Sequence, residues 1–270
     1  MPGLVPGLNR MRPAVRIEAL SLPIRQAVDR AGALGARAVQ FEARGDLTPS
    51  NLSGTGRREL ASLARSRQLE IAAVACGLRR GLAHPEDLEK RMEHVRQVIA
   101  LAADLGTNRV VLEAGPVGDP KSEDCSRLSG LLVDLAQVAV KRGVMLALPS
   151  GLESGADLAA LLGRIDPEGA GAAFDPAAQV TGGFAPMGDL ADLADRLALV
   201  VAADARRARA GRSAERLSVG AGEIDWLNLL ESLRDAGYTG WLVVDGETDN
   251  PETARKGLAA LVRLMGLAGV

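Results

Sequence analysis

At 270 residues the chain is long enough for two average domains or for one large α/β barrel with a sizeable core. Apolar residues make up 47% and charged residues 24%, and the formal net charge is −2, so nothing in the bulk charge calls for nucleic acid or another polyanion as partner. Two Trp, one Tyr and three Phe leave few platforms for stacking bases, and no run of residues approaches the length of a membrane span.

The opening MPGLVPGLNRMRP lacks the long apolar stretch of a signal peptide, and residues 1–13 read as an N-terminal extension of a single domain spanning 1–270. Cys76 and Cys125 are far apart and have no metal-like spacing, which suits a reducing cytoplasm. Eight strand-like runs follow in order: 14–20, 37–43, 70–77, 109–115, 144–149, 171–176, 197–204 and 240–246. Helical patterns rich in Ala, Leu, Arg and Glu lie between them, most clearly over 84–106, 122–143, 223–238 and 250–267. Gly35, Gly106, Gly143 and Gly237 are placed to end helices, and Asn250 before Pro251 is placed to begin one. Eight βα units without a break in composition favour the α/β class and a single closed (β/α)8 TIM barrel; an open doubly wound sheet is the alternative.

Successive strand residues face opposite sides. If Val39 and Phe41 face the helices, Gln40 and Glu42 point into the barrel. By the same alternation Glu113, Pro149, Asp175 and Asp245 are the last inward residues of their strands and ring the barrel mouth. The stretch GVMLALPSG therefore ends on a proline at a place where α/β proteins put their chemistry.

The ordered set GARAVQFEARG, IALAADLGTNRVVLEAGP, GVMLALPSG, AAFDPAA, VVAADARR and SVGAGEIDWLNLLESLRDAGYTGWLVVDGE resembles the xylose-isomerase-like sugar isomerases and epimerases over nearly the whole chain. The glycine-rich turn, EIDW, a helix and GYTGW carry most of the likeness. The resemblance implies a xylose-isomerase-like barrel with one divalent metal held by a Glu on strand five, an Asp on strand six, a His on strand seven and a Glu on strand eight. Carried over position by position, these fall on Pro149, Asp175, Val201 and Asp245. Two positions have no donor and a third is a methylene shorter. Weak or vestigial Mn2+ or Mg2+ binding at Asp175 and Asp245 is then the most to expect, with no tightly bound cofactor. The two histidines, His84 and His94, lie by the helix after strand three and do not restore the site.

Other side chains supply candidate chemistry. Glu42, Glu113 and Asp175 could form an acid–base set, although inward carboxylates also make ordinary ion pairs and Asp175 could simply cap the turn at Pro176. Cys76 ends a strand but has no histidine in its unit, which favours a small buried hydrophobe over a nucleophile. Arg44, Arg79, Arg80, Arg206, Arg207, Arg209 and Arg212 fall on loops of the mouth face, where guanidinium forks suit phosphate or carboxylate; solvated loops of an arginine-rich chain would look the same. Gln40, Arg79, Arg80, Asp204, Arg206, Arg207 and Glu247 are the expected ligand contacts.

The reading that results is a divergent sugar isomerase/epimerase-like barrel with a degraded metal site. It binds an anionic sugar-like small molecule, a sugar or sugar phosphate, in the cytoplasm, with no nucleic-acid or membrane partner. The alternative is an active isomerase or epimerase using Glu42, Glu113 and Asp175 as a rearranged set. A purely structural partner subunit is a weaker third reading. Barrels of this kind often pair through their helices, so a homodimer is compatible.

Overall fold

The computed structural model describes residues 11–119, 121–246 and 250–270. The strands are β1 (Arg12–Arg16), β2 (Ala38–Glu42), β3 (Glu70–Cys76), β4 (Arg109–Leu112), β5 (Met145–Pro149), β6 (Ala170–Phe174), β7 (Leu197–Ala202), β8 (Asp204–Arg206), β9 (Glu215–Leu217) and β10 (Trp241–Val244). Eight of them close a parallel barrel in the order β1-β10-β7-β6-β5-β4-β3-β2, and β8 pairs antiparallel with β9 as a separate hairpin. The helices are α1 (Ile24–Ala33), α2 (Gly54–Ser66), α3 (Leu88–Leu105), α4 (Glu123–Val140), α5 (Gly155–Leu162), α6 (Pro176–Thr181), α7 (Pro186–Leu193), α8 (Trp226–Asp235) and α9 (Pro251–Ala268). Among the described residues no helix is long and apolar enough to cross a membrane.

The alternation of each strand sorts its side chains between two cores. Val39, Phe41, Val110, Leu112, Leu146, Leu148, Phe174, Leu242 and Val244 join the layer between barrel and helices. Val111, Ala147, Ala173 and Val243 fall in the interior cluster, which is mostly alanine. At the floor of the barrel the larger Trp241 fills this space, with the Arg12 guanidinium stacked 3.6 Å from its ring centre.

The four expected helix-ending glycines all have positive φ, and the Asn250 side chain accepts from the Glu252 N–H at the start of α9. Two strand ends differ from the sequence reading. The first strand begins at Arg12, inside the expected extension, and stops at Arg16, where Ile17–Leu20 turn as a 3-10 helix. The seventh stops at Ala202, and the chain then leaves the barrel as the β8–β9 hairpin.

Candidate functional site

Strand order fixes what can meet at the mouth. Alternation brings Arg16, Glu42, Gly77, Glu113, Pro149, Asp175, Val201 and Asp245 to the inward ends of the eight barrel strands. β2 and β6 lie on opposite sides of the ring. The expected set of Glu42, Glu113 and Asp175 is therefore divided into two groups.

The first group is built around a guanidinium. Arg216 projects from β9 and places Nη1 2.9 Å from Asp175 Oδ2 and Nη2 3.3 Å from Asp245 Oδ2. β7 runs between the strands that carry these two acids, so Arg216 bridges them across the position of Val201. Asp175 also accepts from the Ala178 N–H at 2.9 Å, capping α6, while its own N–H donates to Ser150 Oγ. Burial raises the Asp175 carboxyl above its ordinary value, although Arg216 opposes the shift. Burial works against the Arg216 charge, but Asp175 and Asp245 outweigh it and hold the guanidinium above its ordinary value.

A second arginine continues the network. Arg16, at the end of β1, has Nη2 3.0 Å from Glu42 Oε2 and Nη1 3.5 Å from Asp245 Oδ1. Glu18 accepts from the Glu42 N–H at 2.8 Å, and burial raises its carboxyl. Neither Arg16 nor Arg216 was legible as a site residue. Arg16 sat inside an overlong strand, and Arg216 looked like one more arginine in a polar loop.

The second group meets at Gly77, just beyond β3. A Cβ placed there would lie 3.4 Å from Glu113 Oε2 and 3.7 Å from Glu42 Oε1. The bare glycine thus lets two carboxylates from β2 and the end of β4 face one small space. Gln40 sits one inward layer lower on β2, buried, with its Oε1 making no hydrogen bond. Cys76 faces the outer core, and burial pushes its thiol up to about 12, so it is a small hydrophobe and not a nucleophile.

The structure places the other expected ligand contacts in different settings. Asp204 is fully buried and accepts from the backbone N–H groups of Ala205, Gly220 and Ile224; it pins the hairpin loop and offers nothing to a ligand. The arginine loops do not form one cluster, because β3 and β7 stand on opposite sides of the barrel. Arg79 and Arg80 line a cavity of about 650 Å3 with the start of α3, whereas Arg206 and Arg207 line another of about 510 Å3 on the far side. Two of these arginines are already engaged: Arg80 pairs with Glu86, and Arg206 pairs with Glu215 at 3.2 Å. Arg207 donates to the Phe184 carbonyl. Glu247 lies outside the described residues.

The divalent metal of the resemblance does not fit these residues. Pro149 and Val201 bring no donor, and the carboxylates of Asp175 and Asp245 are turned to Arg216. Among the described residues no three His, Cys, Asp or Glu side chains are grouped to hold a metal ion.

Comparisons with known proteins bear on the family and the fold. Residues 28–264 match the model of the xylose isomerase-like TIM barrel family. The rhizopine catabolism protein MocC of Rhizobium meliloti is 27% identical over 255 residues, covering 82% of this chain and 78% of that protein. A xylose isomerase domain protein from Planctomyces limnophilus superposes with a TM-score of 0.83 at 20% identity, covering 97% of this chain and 98% of that one. A D-tagatose 3-epimerase-like protein gives 0.80 at 20% identity, covering 96% and 98%. The chain belongs to the xylose isomerase-like TIM barrel family.

Proposed function

We propose that this member of the sugar isomerase/epimerase family binds an anionic, sugar-like small molecule at the barrel mouth without the family's metal-dependent isomerisation. One observation carries the reading: the Arg216 guanidinium stands between Asp175 and Asp245, where the resemblance places a cation. A fixed protein charge there offsets the two carboxylates. It supplies hydrogen-bond donors but no open coordination position, so it does not reproduce the Lewis acid that polarises a sugar carbonyl. No tightly bound cofactor belongs to this reading. A cytoplasmic location suits the two free, buried cysteines.

Calorimetry on dialysed protein tests it. The expected result is no stoichiometric binding of Mn2+ together with measurable binding of sugar phosphates. Sub-micromolar Mn2+ binding that disappears in Asp175→Ala overturns the reading.

The facing of Glu42 and Glu113 across Gly77 favours a second reading, metal-free proton transfer between two carboxylates. In D2O such a protein would exchange the proton on the carbon beside a ketose carbonyl, and Glu113→Gln would abolish the exchange. Absence of exchange from a panel of keto sugars and their phosphates removes this reading.

A further inference from the structure

We propose that the cavity between the loop after β3 and the first two turns of α3 is a phosphate-monoester site, and that a ligand held there extends its hydroxyl-bearing end across Gly77 to Glu42 and Glu113. This rests on the reading that the ligand is anionic and sugar-like, and it gives that ligand a place and an orientation.

The charge inventory of the cavity is lopsided. Arg79, Arg80, Lys90 and Arg91 line it against only Glu86 and Asp87. Arg80 pairs with Glu86, and Lys90 pairs with Asp87 at 2.7 Å. Arg91 is spent on the carbonyls of Leu82, His84 and Glu86, which hold its guanidinium in place without cancelling its charge. Its Nε is buried and makes no hydrogen bond. Arg79 has no hydrogen bond or ion pair among the described residues and is exposed to the cavity. Two guanidinium charges are therefore left over, which matches the charge of about −2 on a phosphate monoester near neutral pH. The N-terminal end of α3, a helix of 18 residues, adds to the positive side, and Asp87 at its N-cap makes no capping hydrogen bond.

Gly77 also lines this cavity. There Glu113 and Glu42 offer carboxylate oxygens to the space a side chain would fill. Neither carboxylate lines the cavity itself; both lie beyond Gly77, so the cavity is cationic and acceptors for hydroxyls adjoin it. A phosphorylated polyol satisfies both; inorganic phosphate satisfies only the first. The arginine pocket on the β7 side also keeps two guanidinium groups, Arg207 and Arg212, beyond those paired with Glu215 and Glu223, but Gly77 and the two carboxylates that face it lie on the β3 side.

The test titrates inorganic phosphate, D-fructose 6-phosphate and D-fructose into the full chain, read by calorimetry and 31P NMR. The proposal expects the sugar phosphate to bind more tightly than inorganic phosphate. Arg79→Ala should weaken both by about tenfold, Arg79→Lys should fall between, and Glu113→Gln should weaken the sugar phosphate more than phosphate. Because Arg79 is exposed and makes no bond among the described residues, its variants should keep the wild-type circular dichroism and Tm. Arg212→Ala, on the far side of the barrel, should bind like wild type. Loss in Arg212→Ala with none in Arg79→Ala overturns this site while leaving an anionic ligand at the mouth. Sugar phosphate no tighter than inorganic phosphate overturns the orientation. No anion binding by wild type overturns this proposal and the anionic ligand together.

Discussion

Arg216 Nη1 lies 2.9 Å from the Asp175 carboxylate, and this contact makes the β8–β9 hairpin part of the barrel mouth. The hairpin register pairs Arg216 with Ala205, and the buried Asp204 beside Ala205 ties the returning loop through Gly220 and Ile224. The position of the guanidinium is thus set by backbone contacts on either side of it.

Removing one partner of this pair strands the other. Arg216→Ala leaves Asp175 largely buried and facing Asp245 without a counter-charge. Because the arginine side chain is itself 33% exposed, the expected loss of stability is modest, about 1–3 kcal/mol. Asp175→Asn in the Arg216→Ala background should recover part of it. Urea unfolding of the four proteins in a double-mutant cycle measures the coupling; strictly additive losses would show that the pair is not an energetic unit.

The same guanidinium bears on any attempt to rebuild a metal centre. Pro149→Glu, Val201→His and Asp245→Glu restore the family's side chains, yet Arg216 still stands among them. Mn2+ needs about six ligands at about 2.0–2.2 Å, and a guanidinium in that space repels it. The triple variant is expected to bind Mn2+ weakly and the quadruple variant with Arg216→Ala at least tenfold more tightly, about a 1.4 kcal/mol gain. Equal affinities, read by calorimetry, would show that Arg216 does not guard the site.

Gly222 marks how tightly the hairpin loop is closed. A Cβ there would collide with the Asp204 carboxylate and the Ala205 carbonyl, neither of which can withdraw without losing the loop's hydrogen bonds. Gly222→Ala is expected to destabilise the protein by about 1–3 kcal/mol. It should also displace Arg216, so that Arg216→Ala costs less stability in the Gly222→Ala background than in wild type. Wild-type stability in Gly222→Ala would contradict this account of the loop.

Glu18 gives a pH dependence with a definite sign. Burial raises its carboxyl above the ordinary 4.5, so the folded state holds this proton more tightly than the unfolded chain. The contribution to stability is greatest below the unfolded value and is lost as pH rises through the raised folded value. Glu18→Gln keeps the acceptor for the Glu42 N–H and removes the titration. The variant should therefore gain on wild type in urea midpoints as pH rises above the ordinary carboxyl value of 4.5. A difference that stays constant as pH rises would show that Glu18 does not titrate differently on folding.

What the sequence alone determined was local and periodic. Eight strands separated by helix-forming stretches favour a closed barrel over an open doubly wound sheet, and the structure shows the closure. The same period places Glu42, Glu113, Pro149, Asp175 and Asp245 inward, and the resemblance implies that two of the family's metal positions fall on Pro149 and Val201, which carry no donor. Tertiary structure alone decided which of these groups meet. Strand order puts Asp175 opposite Glu42, and puts the arginines after β3 across the mouth from those after β7. Arg216 has no local signal to set it apart from Arg206, Arg207, Arg209 and Arg212. Its role comes from a hairpin register held by Asp204 and from two carboxylates, 41 and 29 residues away in the chain, that a linear pattern cannot bring together.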